Sequence, residues 1–262
     1  ALSGALLAGC SGSGDKTGGD SADGKETLTV GFDQSYPPYG FVGDDGKFTG
    51  FDLDLAQAVC DKNGWELKLS AIDWDAKDAL LAQGNINCIW NGFTMEGRED
   101  GYIFSDPYML NEQVIVVKAG SDISDFAGLS GKTVMTQVDS AALDVLEGDQ
   151  AEVAATFKGG AAQTIGDYNN AFMQLDSGMI DAVACDLSIA QYQIAANPDK
   201  YVQLSTPLST EHYAVGFKKG DTELAQKVSE TLKQLDADGT VKQLCEKYAS
   251  YGISYDNWVL GK

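Results

Sequence analysis

Histidine is almost missing from this 262-residue chain, which holds His212 alone, and its five cysteines show no Cys-x-x-Cys spacing. Transition-metal centres need clusters of such ligands, so the sequence implies no metal and no cofactor. Positive charge is scarce as well: 18 Lys and Arg stand against 39 Asp and Glu, a formal net charge of −21. Such a surface repels phosphate backbones, which excludes nucleic acid as a partner. Beyond the first ten residues, no stretch approaches the roughly eighteen continuous apolar residues of a membrane span. A phosphate-binding loop is missing too. GLSGKT at 128 to 133 has Phe126 where that pattern needs glycine, and it precedes a strand instead of following one. The acidic pairs Asp44/Asp45, Asp52/Asp54 and Asp73/Asp75 do not fit a calcium loop and read as solvated surface.

What is present begins with ALSGALLAGC, an apolar run that places small residues directly before Cys10. It resembles a bacterial lipobox, in which residues 1–9 are the remnant of a signal peptide and Cys10 becomes a lipidated N-terminus. Residues 10–26 are then a tether, since SGSGDKTGGDSADGKE is too polar to offset the entropy of ordering. A lipid anchor on Cys10 would hold the protein on the extracytoplasmic face of a cell membrane. The other four cysteines leave two readings open: a Cys60–Cys88 bridge, or buried thiols acting as small hydrophobes.

Roughly 235 residues follow, 44% of the whole chain is hydrophobic, and strand and helix signals alternate. Residues 27–33 (TLTVGFD) read as a strand, and Phe51, Leu55, Ala58 and Val59 lie on one helical face that Gly64 ends. A strand at 65–70, a helix at 75–83 and strands at 86–90 and 114–117 complete a first α/β unit. The second unit has strands at 133–136, near 153–156 and at 180–185, with helices at 140–146, 168–175 and 187–195. A strand at 212–217 and two C-terminal helices, with apolar stripes at Leu224, Val228, Leu232 and Leu235 and at Val241, Leu244, Cys245 and Tyr248, return to the first unit.

Seven blocks then occur in order: VGFDQSYPPYGF at 30 to 41, FTGFDLDLAQAV at 48 to 59, IDW at 72 to 74, NGFTMEGRED at 91 to 100, FSDPY at 104 to 108, FAGLSGKTV at 126 to 134 and IDAVACD at 180 to 186. Together they resemble the extracellular solute-binding proteins of polar amino acid ABC transporters, solute-binding family 3, over residues 27–251. The resemblance implies a two-lobed α/β fold of the type II periplasmic-binding class. Each lobe would hold a mixed, mostly parallel sheet flanked by helices, and a two-stranded hinge would join them. Lobe 1 would comprise 27–110 and 212–262, and lobe 2 would comprise 111–211, with crossings near 108–112 and 208–212. The implied activity is capture of a free polar L-amino acid by lobe closure and its delivery to a permease, by a monomer that is not an enzyme.

A free amino acid carries a carboxylate and an ammonium on one carbon, and burying both requires a partner for each. Arginine is scarce here, and Arg98 offers a planar fork for the carboxylate; a surface pair with Glu96 or Glu99 is the competing reading. Ser140 opens a helix, as an N-cap or as an anion contact. Asp186 follows an apolar strand, so it either holds the ammonium or caps the next helix. By the resemblance, Thr94 and the Gly92 carbonyl hold the α-amino or α-carboxylate group. Asp33, Tyr36 and Trp74 border the ligand side chain, and Asn91, Gln137 and Cys185 lie nearby. A neutral polar lining suits an uncharged side chain and Asp33 a basic one, so the ligand stays open.

Two departures mark the resemblance: the block from Thr94 to Arg98 is one residue shorter than the common form, and Asp139 puts a negative charge beside the expected carboxylate site. That charge must point away. The rival reading is an exported enzyme of the same fold, like cyclohexadienyl dehydratase, which would use Asp33 or Asp186 as its acid or base. A sensory module is a third, but the membrane span normally fused to such modules is not in this sequence.

Overall fold

A computed structural model describes residues 24–262. The expected signal remnant at 1–9, lipidated Cys10 and the tether as far as residue 23 lie outside the described residues.

In chain order the first part forms β1 (Thr27–Phe32), β2 (Ser35–Tyr36), β3 (Gly40–Val42), β4 (Phe48–Thr49), α1 (Phe51–Asn63), β5 (Glu66–Ala71), α2 (Lys77–Ala82), β6 (Cys88–Ile89) and β7 (Ile103–Phe104). The long strand β8 (Met109–Lys118) leads into β9 (Val134–Gln137), α3 (Ala141–Glu147), α4 (Ala151–Ala155), β10 (Gln163–Ile165), α5 (Tyr168–Ser177), β11 (Ala182–Asp186), α6 (Leu187–Ala196) and β12 (Tyr201–Gln203). The return path is β13 (Ser209–Tyr213), β14 (Gly216–Phe217), α7 (Thr222–Ala237) and α8 (Thr240–Lys247).

Two large sheets result, one per lobe, in the orders β5-β1-β6-β14-β7 and β10-β9-β11-β8-β12, with β13 added on β8. Each is mixed. Its parallel half, β5-β1-β6 or β10-β9-β11, comes from local strand-helix-strand crossovers. Its antiparallel half comes from strands that the chain brings back from afar. The hinge is β8 against β13, antiparallel from Ser209 opposite Gln113 to Tyr213 opposite Met109.

Local sequence explains the helices that flank these sheets. In α1 the stripe Phe51, Leu55 and Val59 is buried, and Gly64 takes φ +67 to close the helix, a conformation that side chains disfavour. The α7 stripe Val228, Leu232 and Leu235 is buried, and both α7 and α8 pack on α1, so the C-terminus does return to the first lobe. One apolar cluster runs from Leu28 and Val30 through Tyr108 and Val114 to Trp258, joining both lobes.

Three expectations need correction. Residues 153–156 are not a strand: 153–155 belong to helix α4 and Thr156 is its C-cap, because Ala-Glu-Val-Ala-Ala favours helix and one valine does not outweigh it; β10 supplies the strand beside β9. Residues 114–117 belong to β8 in the second sheet, and β14 takes the place expected for them in the first. The strand at 212–217 is two, because the chain passes from one sheet to the other between Tyr213 and Gly216. Gly216 is required at that entry, since a Cβ there would lie 2.6 Å from the Phe93 ring. Between β1 and α1 the chain also forms a small sheet, β2-β3-β4, whose strands are too short to show a period. Of the two cysteine readings, the structure has four free, buried thiols at Cys60, Cys88, Cys185 and Cys245.

Candidate functional site

Parallel strands of both sheets end facing one another, and the residues just beyond those ends build a cleft. Asp33 follows β1, Asn91 and Gly92 follow β6, Gln137 ends β9 and Asp186 ends β11. The cleft holds about 270 Å³ of empty space, part of it open to solvent. It is lined from the first lobe by Tyr36, Trp74, Asn91, Gly92, Thr94 and Arg98, and from the second by Gln137, Ser140, Ala141 and Asp186. Eight of the nine residues expected at the site thus share one cavity. The ninth, Asp33, does not line it: its carboxylate accepts from Gln137 Nε2 at 2.7 Å and from the Ser35 N–H at 2.8 Å, tying the lobes together. Burial pushes this carboxyl upward from its ordinary range. Cys185 is buried in the core and also lies outside the lining.

Arg98 is the only arginine in the chain. It does not take the surface pairing with Glu96 or Glu99. Glu96 is occupied by His212, Oε1 to Nδ1 at 2.6 Å, and its Oε2 accepts the His212 N–H. None of the ion pairs among the described residues involves Arg98. Its guanidinium stacks 4.6 Å over the Phe93 ring and donates to two carbonyls, Thr94 at 3.0 Å and Asp139 at 3.1 Å. Two of five N–H donors are used there, so the fork retains capacity for an anion.

The Asp139 carbonyl also accepts from Trp74 Nε1 at 3.2 Å. It can reach both because Asp139 holds φ +54, the one positive φ outside glycine among the described residues. Asp139 is exposed, and its carboxylate forms no ion pair with Arg98. Ser140 caps α3, with Oγ accepting from the Leu143 N–H at 3.1 Å. Lys77 lies 4.9 Å over the Trp74 ring, and burial lowers its pKa.

Asp186 occupies the N-cap position of α6 but makes no cap bond. Its Oδ1 instead accepts from Asn111 Nδ2 at 2.8 Å and Gln113 Nε2 at 2.7 Å. Burial raises its pKa, and the hydrogen bonds oppose the rise. The same two amides reach Glu211, which sequence reasoning missed, as it missed Asn111 and Gln113. The signal was available: in MLNEQ and STEHY, alternate residues point inward, so Asn111, Gln113 and Glu211 are polar positions on buried faces.

Asp52 overturns another expectation. Read as solvated surface, it is 0% exposed, and its carboxylate accepts the Gly92 N–H at 2.5 Å and the Tyr108 hydroxyl at 2.7 Å. Burial pushes it up to about 7. The bonded Gly92 holds φ +58 at the cleft wall, where a Cβ would meet the Tyr36 ring at 2.9 Å.

Two α/β lobes on a two-stranded hinge, with a single arginine and a buried aspartate facing one cleft, define a receptor that closes on a small solute. The profile of the bacterial extracellular solute-binding proteins, family 3, matches residues 28–251, and the chain belongs to that family. It is 30% identical to the L-cystine-binding protein TcyJ of Escherichia coli K12 over 225 residues, 85% of this chain and 82% of that one. It is 27% identical to the L-cystine-binding protein TcyA of Bacillus subtilis, over 95% of this chain and 94% of that one. Among solved structures, a substrate-binding protein of an ABC uptake transporter from Streptococcus pneumoniae with bound histidine superimposes with a TM-score of 0.83 at 34% identity, covering 87% of this chain and 94% of that one.

Proposed function

We propose that this solute-binding protein captures a polar L-α-amino acid outside the cell and delivers it to the permease of an ABC importer. The observation that carries this is the pairing of charges in one cleft: Arg98 on the first lobe and Asp186 on the second. A zwitterion satisfies both at once, and neither lobe alone offers both partners, so binding favours the lobes together. Arg98 takes the carboxylate with help from Ser140, Asp186 takes the ammonium with Thr94, and the Gly92 carbonyl borders the same carbon. Tyr36, Trp74 and Asn91 bound the side chain.

Asp33 lies outside the lining and is spent on Gln137, and apart from Arg98 and Asp186 the lining is uncharged, which favours a side chain without net charge. L-cystine and L-histidine are the first candidates, since relatives bear those ligands in their names. The same reading puts lobe 1 at 27–110 with 212–262 and lobe 2 at 111–211, with both crossings inside the paired strands β8 and β13. Cys10 as a lipid anchor, a monomeric state and the lack of catalysis belong to the same reading.

A micromolar dissociation constant corresponds to about −8 kcal/mol, within reach of one doubly paired zwitterion. The test is isothermal titration calorimetry of Arg98→Ala against the amino acid that binds the wild type. Binding should be lost with the fold intact by circular dichroism; retained affinity would overturn the carboxylate assignment.

A further inference from the structure

Asp186 Oδ1 and Glu211 Oε1 are bridged by the same two amide nitrogens. Asn111 Nδ2 lies 2.8 and 2.9 Å from them, and Gln113 Nε2 lies 2.7 and 2.5 Å from them. All four amide hydrogens of Asn111 and Gln113 are spent on this pair. The amide oxygens, Asn111 Oδ1 and Gln113 Oε1, are buried without a partner. Both carboxylates are withdrawn from water, Asp186 at 5% and Glu211 at 4% exposure. Thr94 Oγ1 donates its one proton to Glu211 Oε1 at 2.6 Å, so toward the cleft it presents lone pairs alone.

Two carboxylates this close do not both ionise readily in a buried setting. The groups that face Asp186, besides Glu211 and the two amides, are the Tyr36, Tyr39, Tyr168 and Tyr213 hydroxyls and the Cys185 thiol, all held neutral by burial. Those facing Glu211 are Asp186, Thr94, Asn111, Gln113 and, at 3.5 Å, the Ser209 hydroxyl. His212, next in the chain, turns to the other face of β13 and pairs with Glu96. Both carboxyls are raised from their ordinary range, mainly by burial and, for Glu211, next by the charge of Asp186.

We infer that Glu211 is a positioning residue at the ammonium end of the site: Asp186 and Glu211 share one proton before an amino acid enters, and its ammonium replaces that proton. The exchange balances. The ammonium keeps its three hydrogens and donates to the lone pairs of Asp186 and Thr94, and the displaced proton leaves to solvent. The cluster carries one net negative charge before and after. Glu211 acts through Thr94, which it turns into an acceptor, and through the amides that it shares with Asp186. The inference rests on the reading of the cleft as an α-amino acid site.

Because binding then releases a proton, affinity rises with pH, by up to about tenfold per unit while the pair still holds its proton. The probes are L-cystine, L-histidine and L-arginine, titrated by calorimetry between about pH 5.5 and 8 in phosphate and in Tris, whose ionisation enthalpies differ. The wild type should release close to one proton per bound amino acid at the acidic end of that range. Glu211→Gln should bind more weakly at the alkaline end, show a flat pH profile and release no proton. Wild-type binding without proton release at any pH, or an unchanged slope in Glu211→Gln, overturns the inference.

The infrared spectrum needs no amino acid. At about pH 6 the protein alone should show one more protonated carboxyl than Glu211→Gln does, and equal intensities would overturn the shared proton. Binding of none of the probes alongside that extra carboxyl would sink the amino acid reading and leave the pair standing.

Discussion

Asp52 shows how one side chain sets both a wall of the cleft and the acid response of the fold. It fixes Gly92 from behind, and its carboxyl is pushed up to about 7 because burial outweighs the two hydrogen bonds that it accepts. A folded value above the unfolded 3.8 means that the native state holds the proton more tightly. This contribution is complete below about pH 4 and declines as pH rises to about 7, by roughly 1.4 kcal/mol per unit and about 4 kcal/mol at most. Asp33, Asp186 and Glu211 are raised as well and act in the same direction. Urea unfolding midpoints should therefore fall from pH 5 to 7 with a shallower slope in Asp52→Asn than in the wild type; parallel slopes would remove Asp52 from this role.

At the scale of elements, the lobes meet through strand ends. Asp33 after β1 joins Gln137 at the end of β9, and Arg98 and Trp74 of the first lobe converge on the Asp139 carbonyl between β9 and α3. Gln137→Ala strands a buried carboxylate, at a cost of about 1 to 3 kcal/mol to the lobes-together arrangement. Small-angle scattering should then give a larger radius of gyration for the variant alone, reduced again by ligand. An unchanged radius would show that the bond does not hold the lobes. Which elements exist was legible where a helix repeats its apolar stripe, as in α1 and α7. It was not legible where strands have two or three residues, as in β2 to β4, or where pairing depends on distant returns, as in β13 and β14. Arg98, Ser140 and Asp186 were legible from motif blocks and from their places at strand ends or helix starts. Asp52 was not, because it is an ordinary acid in sequence and its partners Gly92 and Tyr108 lie far along the chain; for Glu211 the alternation in STEHY signalled burial, but not the amides of Asn111 and Gln113 that it meets across the hinge.

For the whole molecule, these contacts make a hinged receptor whose two halves present opposite charges to one cleft. The chain carries a net charge of −21, and on the proposed reading Arg98 takes an anion and Asp186 a cation, so an isolated ion of either sign satisfies half of the cleft. The central claim is that both charges of a free amino acid are needed. Isothermal titration calorimetry tests it by comparing the amino acid that binds with two analogues, the amine lacking its carboxylate and the acid lacking its ammonium. The account predicts micromolar or tighter binding for the amino acid and a loss of at least about a hundredfold, or about 2.7 kcal/mol, for each analogue. Equal binding of either analogue, or binding of no amino acid at all, would contradict it.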